Sequence, residues 1–422
     1  MASEPGEPET ALMIEENKGC SGPMVVPAEE SQQVSGGGVV EREARAVVLT
    51  GFGALSKLRV MKRSVPAPRR GEVLLCVKAC GMNFLDLMVR QGNMENPPRT
   101  PIVPGFECSG LVEMLGEGVE NFQVGEGVMA VMCYGAWAEL ACVPVENVFP
   151  LPPGMSFTDG AAFPVSFLTA YLLLFDIGRL REGMSVLVHS AGGGVGQAVA
   201  QLCATVPGVT LFGTASSSKH EAIRGSLLHL IDRNADYVTE VKKISPEGVD
   251  IVLDCLCGEH TAKGLSLLKP MGTCILYGSS NMVTGETKSF FSFAKSWWQV
   301  EKVNPLRLYE ENKCLAGFQL LPLLTRPDGA TRVRHTMARL THLYIKGVIR
   351  PRIDSVWALE EVKEAMQRIH DRGNVGKILL EPEKAPIPLI SSSPQQRQVK
   401  SVHAYRSESL KTHTQHMHKR PC

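Results

Sequence analysis

The stretch Gly183-Met-Ser-Val-Leu-Val-His-Ser-Ala-Gly-Gly-Gly-Val-Gly-Gln-Ala-Val-Ala-Gln201 decides the fold of this chain. Residues 186–188 are apolar without interruption, which is typical of a parallel strand covered on both faces. After the glycines, Val195, Val199 and Leu202 recur on one face of a predicted helix that begins at the last glycine. A strand, a glycine turn and a helix in this order predict a site where the helix N-terminus binds a dinucleotide pyrophosphate.

The glycine turn differs at its first position from the dinucleotide fingerprint Gly-x-Gly-x-x-Gly. Ala191 stands there, so the motif reads Ala-x-Gly-x-x-Gly. Gly193 and Gly194 can adopt positive φ and leave room for a phosphate, and Gly196 allows the helix to lie close to the sheet. The glycines alone would also fit an ordinary loop, but the flanking strand and helix favour the phosphate site. The predicted phosphate-binding residues are Ala191, Gly192, Gly193, Gly194, Val195 and Gly196.

Composition limits the class of protein. The chain has 422 residues, of which 44% are hydrophobic, enough for two cores of moderate size. The net charge of +1 gives no indication of a nucleic-acid partner. No apolar run reaches the roughly 18 to 20 residues of a membrane span, and the acidic start lacks the features of a secretory signal. The twelve cysteines are scattered without a Cys-x-x-Cys pair, which predicts reduced thiols in the cytoplasm.

Turn residues and apolar periodicity divide the chain into segments. Residues 1–43 are rich in Glu, Gly, Ser and Pro and predict a disordered acidic leader. Residues 44–165 contain short strand patterns separated by Gly and Pro, which predict a partly closed β domain. Helix and strand patterns then alternate, as in a parallel doubly wound sheet, so the fold class is α/β. The strands of this sheet are predicted to begin at Ser185, Val209, Val249 and Thr273.

The C-terminal part returns to a helix pattern after Ala358 and a strand pattern at 376–380. Residues 382–422 are rich in Pro, Ser, His and Arg and predict a solvated basic tail. The alternative for this tail is attraction to anionic lipid or to an acidic partner.

The second strand of the parallel sheet decides which nucleotide fits. NAD selectivity usually comes from an Asp or Glu at the end of that strand, about 20 residues after the turn. The strand end Gly213–Lys219 offers hydroxyls and an ammonium but no carboxylate, which suits a 2′-phosphate. These serines can equally cap the next helix, and both roles are compatible. We therefore predict that NADP(H) is bound by Thr214, Ser216, Ser217, Ser218 and Lys219.

Further motifs resemble a known family. The strings Ala79–Gly92 and Pro104–Gly110, together with the glycine turn, resemble the quinone oxidoreductase branch of the zinc-free medium-chain dehydrogenases/reductases. The strings Gly213–Ser216 and Lys243–Val252 are similar to the synaptic vesicle membrane protein VAT-1 group.

The resemblance covers about residues 43–381 and implies two domains. A GroES-like β-rich domain would comprise residues 44–165 and 318–381, with an NADP-binding Rossmann domain at 166–317 inserted between them. The active cleft would lie between the two domains. The family also implies a homodimer joined through the Rossmann sheets.

The resemblance implies a cleft without zinc. Zinc-dependent relatives bind the catalytic metal with two Cys and one His, and the matching positions here are Asn83, Phe106 and Val165. Glu107 alone does not make a metal site. The structural zinc lobe needs four closely spaced cysteines, and this sequence has Cys133 alone in that region.

Without a Lewis acid, the oxidation of an alcohol is difficult, whereas an activated quinone or enone can accept a hydride with hydrogen-bond help alone. Asn83 is the candidate for orienting the substrate oxygen or the nicotinamide ribose, and its alternative is a buried amide that bridges two loops. Asp86 is the candidate proton donor, and its alternative is a structural cap or a partner of Arg90. The resemblance implies nicotinamide contacts from Thr169, Tyr277, Gly278, Ser279, Gly317 and Phe318.

Two substitutions favour a second hypothesis. Many quinone-reducing relatives have a tyrosine where this chain has Met94, and several have one near the adenosine where this chain has Val241. The chain would then be an NADPH-binding, catalytically weak interaction protein, peripherally associated with vesicle or organelle membranes.

Overall fold

The described part of the chain forms two large β-sheets and one small one, with helices around the parallel sheet. The computed structural model describes residues 42–226, 229–283, 285–287 and 303–387. Nearly all of the predicted leader (1–43) and tail (382–422) therefore lies outside the described residues. The strands are β1 (Arg42–Leu49), β2 (Leu58–Val65), β3 (Glu72–Met82), β4 (Glu107–Leu115), β5 (Gly127–Val131), β6 (Leu140–Pro144), β7 (Val148–Pro150), β8 (Ser185–Val188), β9 (Thr210–Ala215), β10 (His229–Asp232), β11 (Val249–Asp254), β12 (Leu268–Leu276), β13 (Cys314–Gly317), β14 (Ile353–Ala358) and β15 (Lys377–Glu381).

The helices lie mainly around the parallel sheet. A π-helical turn, Leu172–Ile177, continues the third helix. The α-helices are α1 (Phe84–Gln91), α2 (Phe157–Ala162), α3 (Pro164–Tyr171), α4 (Gly194–Cys203), α5 (Ser217–Ile223), α6 (Tyr237–Ile244), α7 (Glu259–Leu267), α8 (Pro305–Glu310), α9 (Leu321–Leu324), α10 (Pro327–Ile345) and α11 (Val362–His370). Among the described residues, no helix combines the length and the apolar character needed to cross a bilayer.

The β-rich part contains a seven-stranded sheet that the C-terminal strands complete. The strand order is β14-β15-β3-β4-β5-β7, and β6 also pairs with β3. The β15 strand pairs antiparallel with β3, so the end of the folded chain joins a sheet built near its beginning. The β1–β2 hairpin is attached to this part through bridges from Ala46 to Ala138 and from Leu49 to Ile102.

The second large sheet is parallel and confirms the predicted α/β class. Its six strands follow the order β10-β9-β8-β11-β12-β13, and every neighbouring pair is parallel. The order reverses between β8 and β11, which is the topological switch point of a Rossmann fold. Ligands bind at the carboxyl ends of the strands there, so this topology positions the glycine turn after β8 for that role.

The long helix α10 belongs to the core of the parallel sheet. Val333, Met337 and Leu340 are buried in one cluster with Val186 and Ile251. The helix lies within residues 318–381, which the family resemblance implies to be the returning part of the β-rich domain. Because its apolar face packs with the parallel sheet, we propose that the return begins near residue 350 rather than at 318.

Candidate active site

The glycine turn joins β8 to α4 by close packing. The helix begins at Gly194, two residues before the predicted start at Gly196, and Gly193 is its N-cap. A Cβ atom at Gly196 would lie 2.6 Å from Cα of Ala191. Helix α4 therefore lies against the turn at a distance that only glycine permits.

Gly193 and Gly194 do not use the positive φ that glycine allows. Gly193 has an extended backbone with φ of −78°, and Gly194 starts the helix. The left-handed conformation belongs to Ser190, with φ of 56°. A Cβ at Gly194 would lie 2.7 Å from Oγ of Ser166, so an alanine there would require the Ser166 hydroxyl to rotate away.

A cavity of about 930 Å³ opens at the carboxyl ends of the parallel strands, where the turn lies. It brings together most of the residues predicted to bind the cofactor. Those lining it are Thr169, Gly192, Gly193, Gly194, Val195, Gly196, Thr214, Ser216, Lys219, Tyr277, Gly278, Ser279 and Phe318.

Four of the predicted cofactor residues do not line this cavity. Ala191 is completely buried beneath the turn. Ser217 and Ser218 are exposed in the first turn of α5, and Gly317 is exposed at the end of β13. The serine run therefore divides between Ser216 in the cavity and two residues that begin a helix.

One end of the cavity is cationic. Lys219, Arg233 and Arg372 all line it. Burial lowers the pKa of Lys219, the nearby carboxylate of Asp354 raises it, and the charges of Arg233, Arg368 and Arg372 lower it further. Burial and Arg233 likewise lower the pKa of Arg372. Lys219 and Arg372 thus lie partly buried near a third cation, in a site that an anion such as a phosphate would stabilise.

Sequence reasoning missed Arg233 and Arg372. Arg233 directly follows β10, whose neighbour β9 leads to Lys219. That adjacency of strand ends is a signal the sequence contains, because parallel strand ends meet at one edge. Arg372 follows α11 and reaches the cavity only through tertiary folding.

A buried ion pair lies where the sequence showed an isolated carboxylate. The Lys377 Nζ atom lies 2.5 Å from Oε1 of Glu107, and their side chains are 5% and 0% exposed. The backbone N–H of Val165 donates to the other oxygen, Oε2, at 2.8 Å. A Cβ atom at Gly81 would overlap the Glu107 carboxylate, so this glycine provides the space for it.

Asn83 is part of the same network. Its Nδ2 donates to Oε1 of Glu107 at 3.0 Å, and its Oδ1 accepts from Nζ of Lys377 at 2.5 Å. Asn83 and Lys377 both line the cavity. The partly buried amide thus links the first residues of β4 and β15 rather than two loops, and it also faces the candidate site.

Asp86 is a capping residue in this geometry. Its carboxylate is 1% exposed and accepts from the backbone N–H groups of Asn83 at 2.8 Å and Gly105 at 3.1 Å. Burial raises its pKa to about 8. Arg90, its proposed partner, instead donates to the backbone oxygens of Gly53 and Glu286. Asp86 does not line the cavity.

The end of the cavity beyond Asn83 is apolar. Its walls are contributed by α1, by the residues before β4 and by the start of α3. Met94 packs against the core of the β-rich part. The apolar residues that line this end are Met82, Phe84, Leu85, Met88, Phe106 and Val165.

The positions matched to zinc ligands lie at this apolar end. Asn83, Phe106 and Val165 supply an amide, a phenyl ring and an isopropyl group. In the part of the chain that the structure describes, no group of three or more His, Cys, Asp or Glu side chains is arranged to hold a metal ion.

Comparisons with known proteins agree with these elements. The alcohol dehydrogenase GroES-like domain matches residues 69–153, and the family described as zinc-binding dehydrogenase matches residues 227–380. The human synaptic vesicle membrane protein VAT-1 homolog-like is 67% identical over 351 residues, covering 83% of this chain and 84% of that protein. The chain belongs to the VAT-1 family of medium-chain dehydrogenases/reductases.

Solved structures and a quinone oxidoreductase are also similar to this chain. A crystal structure of the human VAT-1 homolog-like protein is 59% identical, with a TM-score of 0.73, over 82% of this chain and 99% of that one. Rat quinone oxidoreductase is 29% identical over 343 residues, 80% of this chain and 97% of that protein. A mycobacterial protein solved with NADPH is 26% identical, with a TM-score of 0.71, over 80% of this chain and 100% of that one.

Behind the cavity, this VAT-1 family member places a buried histidine beside a partly exposed one. His189 is 1% exposed, and its Nδ1 shares a hydrogen bond of 2.9 Å with Oγ1 of Thr214. No described residue is a hydrogen-bond partner for its Nε2. The His260 ring lies 5.7 Å from the His189 ring and lines the cavity.

We expect this histidine to make stability fall with acidification. Burial lowers the pKa of His189 in the folded state, so below about pH 6.5 the unfolded chain binds a proton that the folded chain does not. At pH 5 this group should cost about 2 kcal/mol of unfolding free energy relative to pH 7.5. Urea unfolding of the native chain and of His189→Gln at both pH values measures the effect. An equal loss in both proteins would contradict the assignment.

Proposed function

We propose that this chain binds NADPH and transfers its hydride to a quinone or an enone-type carbonyl compound. One observation carries the proposal: a single cavity joins a cationic end, a glycine turn at a helix N-terminus and an apolar end. A VAT-1 family chain related to a quinone oxidoreductase and to an NADPH complex supports the same activity.

The parts of NADPH match the parts of the cavity. The pyrophosphate suits the free N–H groups at the start of α4, and the 2′-phosphate suits Lys219, Arg233 and Arg372. Thr169, the Tyr277–Ser279 segment and Phe318 line the remaining wall, where the nicotinamide would lie. When bound, the cofactor supplies the hydride.

The apolar end suits a planar acceptor. Phe84, Phe106 and Val165 offer surfaces that exclude water and pack against a ring. A quinone or enone needs hydrogen-bond assistance at its oxygen more than it needs a strong acid.

Two measurements on the purified chain test this function. Quenching of the fluorescence of its tryptophans should show tighter binding of NADPH than of NADH, and NADPH should be oxidised in the presence of naphthoquinones or enones. Tighter NADH binding would overturn the nucleotide assignment. Tight NADPH binding without oxidation above background would overturn the enzymatic one.

An exposed basic strand supports the second candidate function, an NADPH-binding protein with weak turnover at a membrane surface. Strand β2 exposes Arg59, Lys62 and Arg63 beside the apolar Met61. Basic side chains next to an apolar one suit an anionic bilayer surface.

Liposome flotation tests this candidate. We expect phosphatidylserine vesicles to bind the chain and phosphatidylcholine vesicles to leave it in solution. The triple change Arg59→Glu, Lys62→Glu and Arg63→Glu should abolish flotation, whereas Lys242→Glu on α6 should not. Equal flotation of both variants would exclude strand β2 as the membrane-binding surface.

An exposed sheet edge supports a homodimer. Among the described residues, strand β13 is the last in its sheet and pairs only with β12, and near it Met271, Leu306 and Tyr309 are 84%, 67% and 81% exposed. Large exposed apolar side chains beside an unpaired strand edge are typical of an interface. Met271→Lys with Tyr309→Glu should convert a dimer into a monomer in light scattering after size-exclusion chromatography. A native chain that is already monomeric would overturn this assignment.

The cysteines support a reducing compartment. All ten cysteines among the described residues are free thiols. We propose a cytoplasmic protein on this basis, because free thiols persist where glutathione and thioredoxin act.

A further inference from the structure

We propose that Lys377 and Asn83 together form a two-donor site for the oxygen of the hydride acceptor, and that Glu107 positions both donors. This inference rests on the proposed function and names the residues that stabilise charge in it. It assigns a chemical role to the buried network at the boundary between the glycine turn and the apolar end of the cavity.

Lys377 and Asn83 have more N–H donors than their network with Glu107 uses. A lysine ammonium has three N–H donors, and an asparagine amide has two. Lys377 uses two of its donors on Glu107 and on Oδ1 of Asn83. Asn83 uses one of its donors on Glu107. Each residue therefore keeps one N–H after these contacts, and both residues line the same cavity.

The position of Lys377 fits an oxygen close to the cofactor. A Cβ atom at Gly194 would lie 3.5 Å from Cδ of Lys377, so the lysine stem passes the start of α4. On the other side, Asn83 is followed by Phe84 and Leu85 of the apolar end. The two donors therefore lie between the phosphate-binding turn and the apolar walls. An acceptor oxygen at that position would face the nicotinamide.

Glu107 fixes the geometry of both donors. It is completely buried and holds Lys377 and Asn83 through Oε1, while the Val165 N–H fixes Oε2. The carboxylate orients the amide of Asn83 with its nitrogen toward Glu107 and its oxygen toward Lys377. Donors that are already oriented in a site of low polarity stabilise a developing anion without reorganisation.

The reaction that this site assists is balanced in atoms and electrons. The C4–H bond of NADPH breaks, and the hydride with its two electrons forms a new C–H bond at the electron-poor carbon of the acceptor. NADPH becomes NADP⁺, and the acceptor π electrons move to its oxygen, which becomes an enolate. The two N–H groups stabilise that oxyanion until it takes a proton from solvent. A quinone reduced in this way becomes a hydroquinone once its remaining ring ketone enolises by proton exchange with solvent.

Turnover and nucleotide binding should separate in Lys377→Met. The loss of one oxyanion donor typically lowers kcat about 100-fold, whereas we expect the Kd for NADPH to change less than about threefold. The matched control is Lys269→Met, which breaks the ion pair with Asp250 away from the cavity. A higher Kd for NADPH with an unchanged kcat would overturn the proposal and would indicate that Lys377 binds the pyrophosphate.

Two further variants keep this test valid if the single change impairs folding. Lys377→Met with Glu107→Gln removes both buried charges together, so no unpaired carboxylate remains. Gly81→Ala displaces Glu107 without changing a residue that lines the cavity. Both should lose turnover to the same extent as Lys377→Met, and normal turnover in the double variant would contradict the donor role.

A spectroscopic probe tests the site without any turnover. 4-Nitrophenol changes its absorbance when it ionises, so titration in the complex with NADP⁺ reports the pKa of the bound phenol. We expect the native chain to lower this pKa by at least about one unit, a tenfold preference for the oxyanion. Gly81→Ala and Lys377→Met should abolish the shift.

The two experiments distinguish the inference from the proposed function. A native chain that lowers the pKa of bound nitrophenol but reduces none of the acceptors would retain the oxyanion site and lose the reductase function. A native chain that reduces quinones but binds nitrophenol with the same pKa as Lys377→Met would retain the reductase and overturn the site.

Discussion

Gly196→Ala is expected to abolish tight NADPH binding. The added Cβ would lie 2.6 Å from Cα of Ala191 and equally close to its carbonyl oxygen. These are backbone atoms of the turn itself, so the start of α4 must move away from the phosphate site. Overpacking of this kind costs about 1 to 3 kcal/mol of stability, and the displaced turn should raise the Kd for NADPH at least about tenfold.

The matched control for this change is Gly225→Ala. A Cβ at Gly225 meets nothing within 4 Å, so binding and stability should remain close to those of the native chain. Isothermal titration with NADPH and thermal unfolding measure both quantities. If Gly196→Ala bound NADPH as the native chain does, the turn at 191–196 would not be the phosphate site.

Lys219→Ala with Arg233→Ala is expected to remove the preference for NADPH. Both residues line the cationic end of the cavity, and each charge-assisted hydrogen bond contributes about 1.5 kcal/mol or more. The double variant should therefore bind NADPH about 100-fold more weakly. NADH lacks the 2′-phosphate, so its Kd should change less than about threefold.

Lys242→Ala controls for a general loss of positive charge, because Lys242 is exposed on α6. Fluorescence titrations of the native chain, the double variant and Lys242→Ala with NADPH and with NADH give the six affinities needed. An equal loss of NADH affinity would mean that Lys219 and Arg233 maintain the structure of the cavity and do not bind the 2′-phosphate.

Local patterns in the sequence predicted four of the six strands of the parallel sheet, and they missed β10 and β13. The predicted start at Val249 agrees with β11. The sequence Ser156–Asp159 also has the pattern of a helix start, and Ser156 is the N-cap of α2, with its side chain accepting from the N–H of Asp159. Both features depend on residues close in sequence, where apolar runs and capping side chains act directly.

The start of α4 and the glycine conformations were predicted less well. The fingerprint identifies where glycine is needed but not whether φ or space requires it. At Gly194 the nearest neighbour of an added Cβ would be the hydroxyl of Ser166, a residue on α3 whose proximity the sequence does not encode locally.

The network around Glu107 lay beyond sequence reasoning for the same reason. Glu107 was treated as a single carboxylate because its partner Lys377 stands on the last strand of the folded chain. The packing of α10 against the parallel sheet was missed because its apolar face follows a helical period that does not specify a partner.

The closing strand β15 also determines when the cavity of this molecule is first complete during synthesis. Gly376 bridges to Gly193, and its N–H donates to the oxygen of Gly192 at 2.8 Å. Arg372, Asn374 and Lys377 complete the cavity wall from the same segment. A nascent chain lacks this wall until residues 372–377 have been synthesised, although its earlier parts begin to fold as they emerge. A ligand that needs the complete cavity would therefore distinguish chains that contain these residues from chains that stop before them.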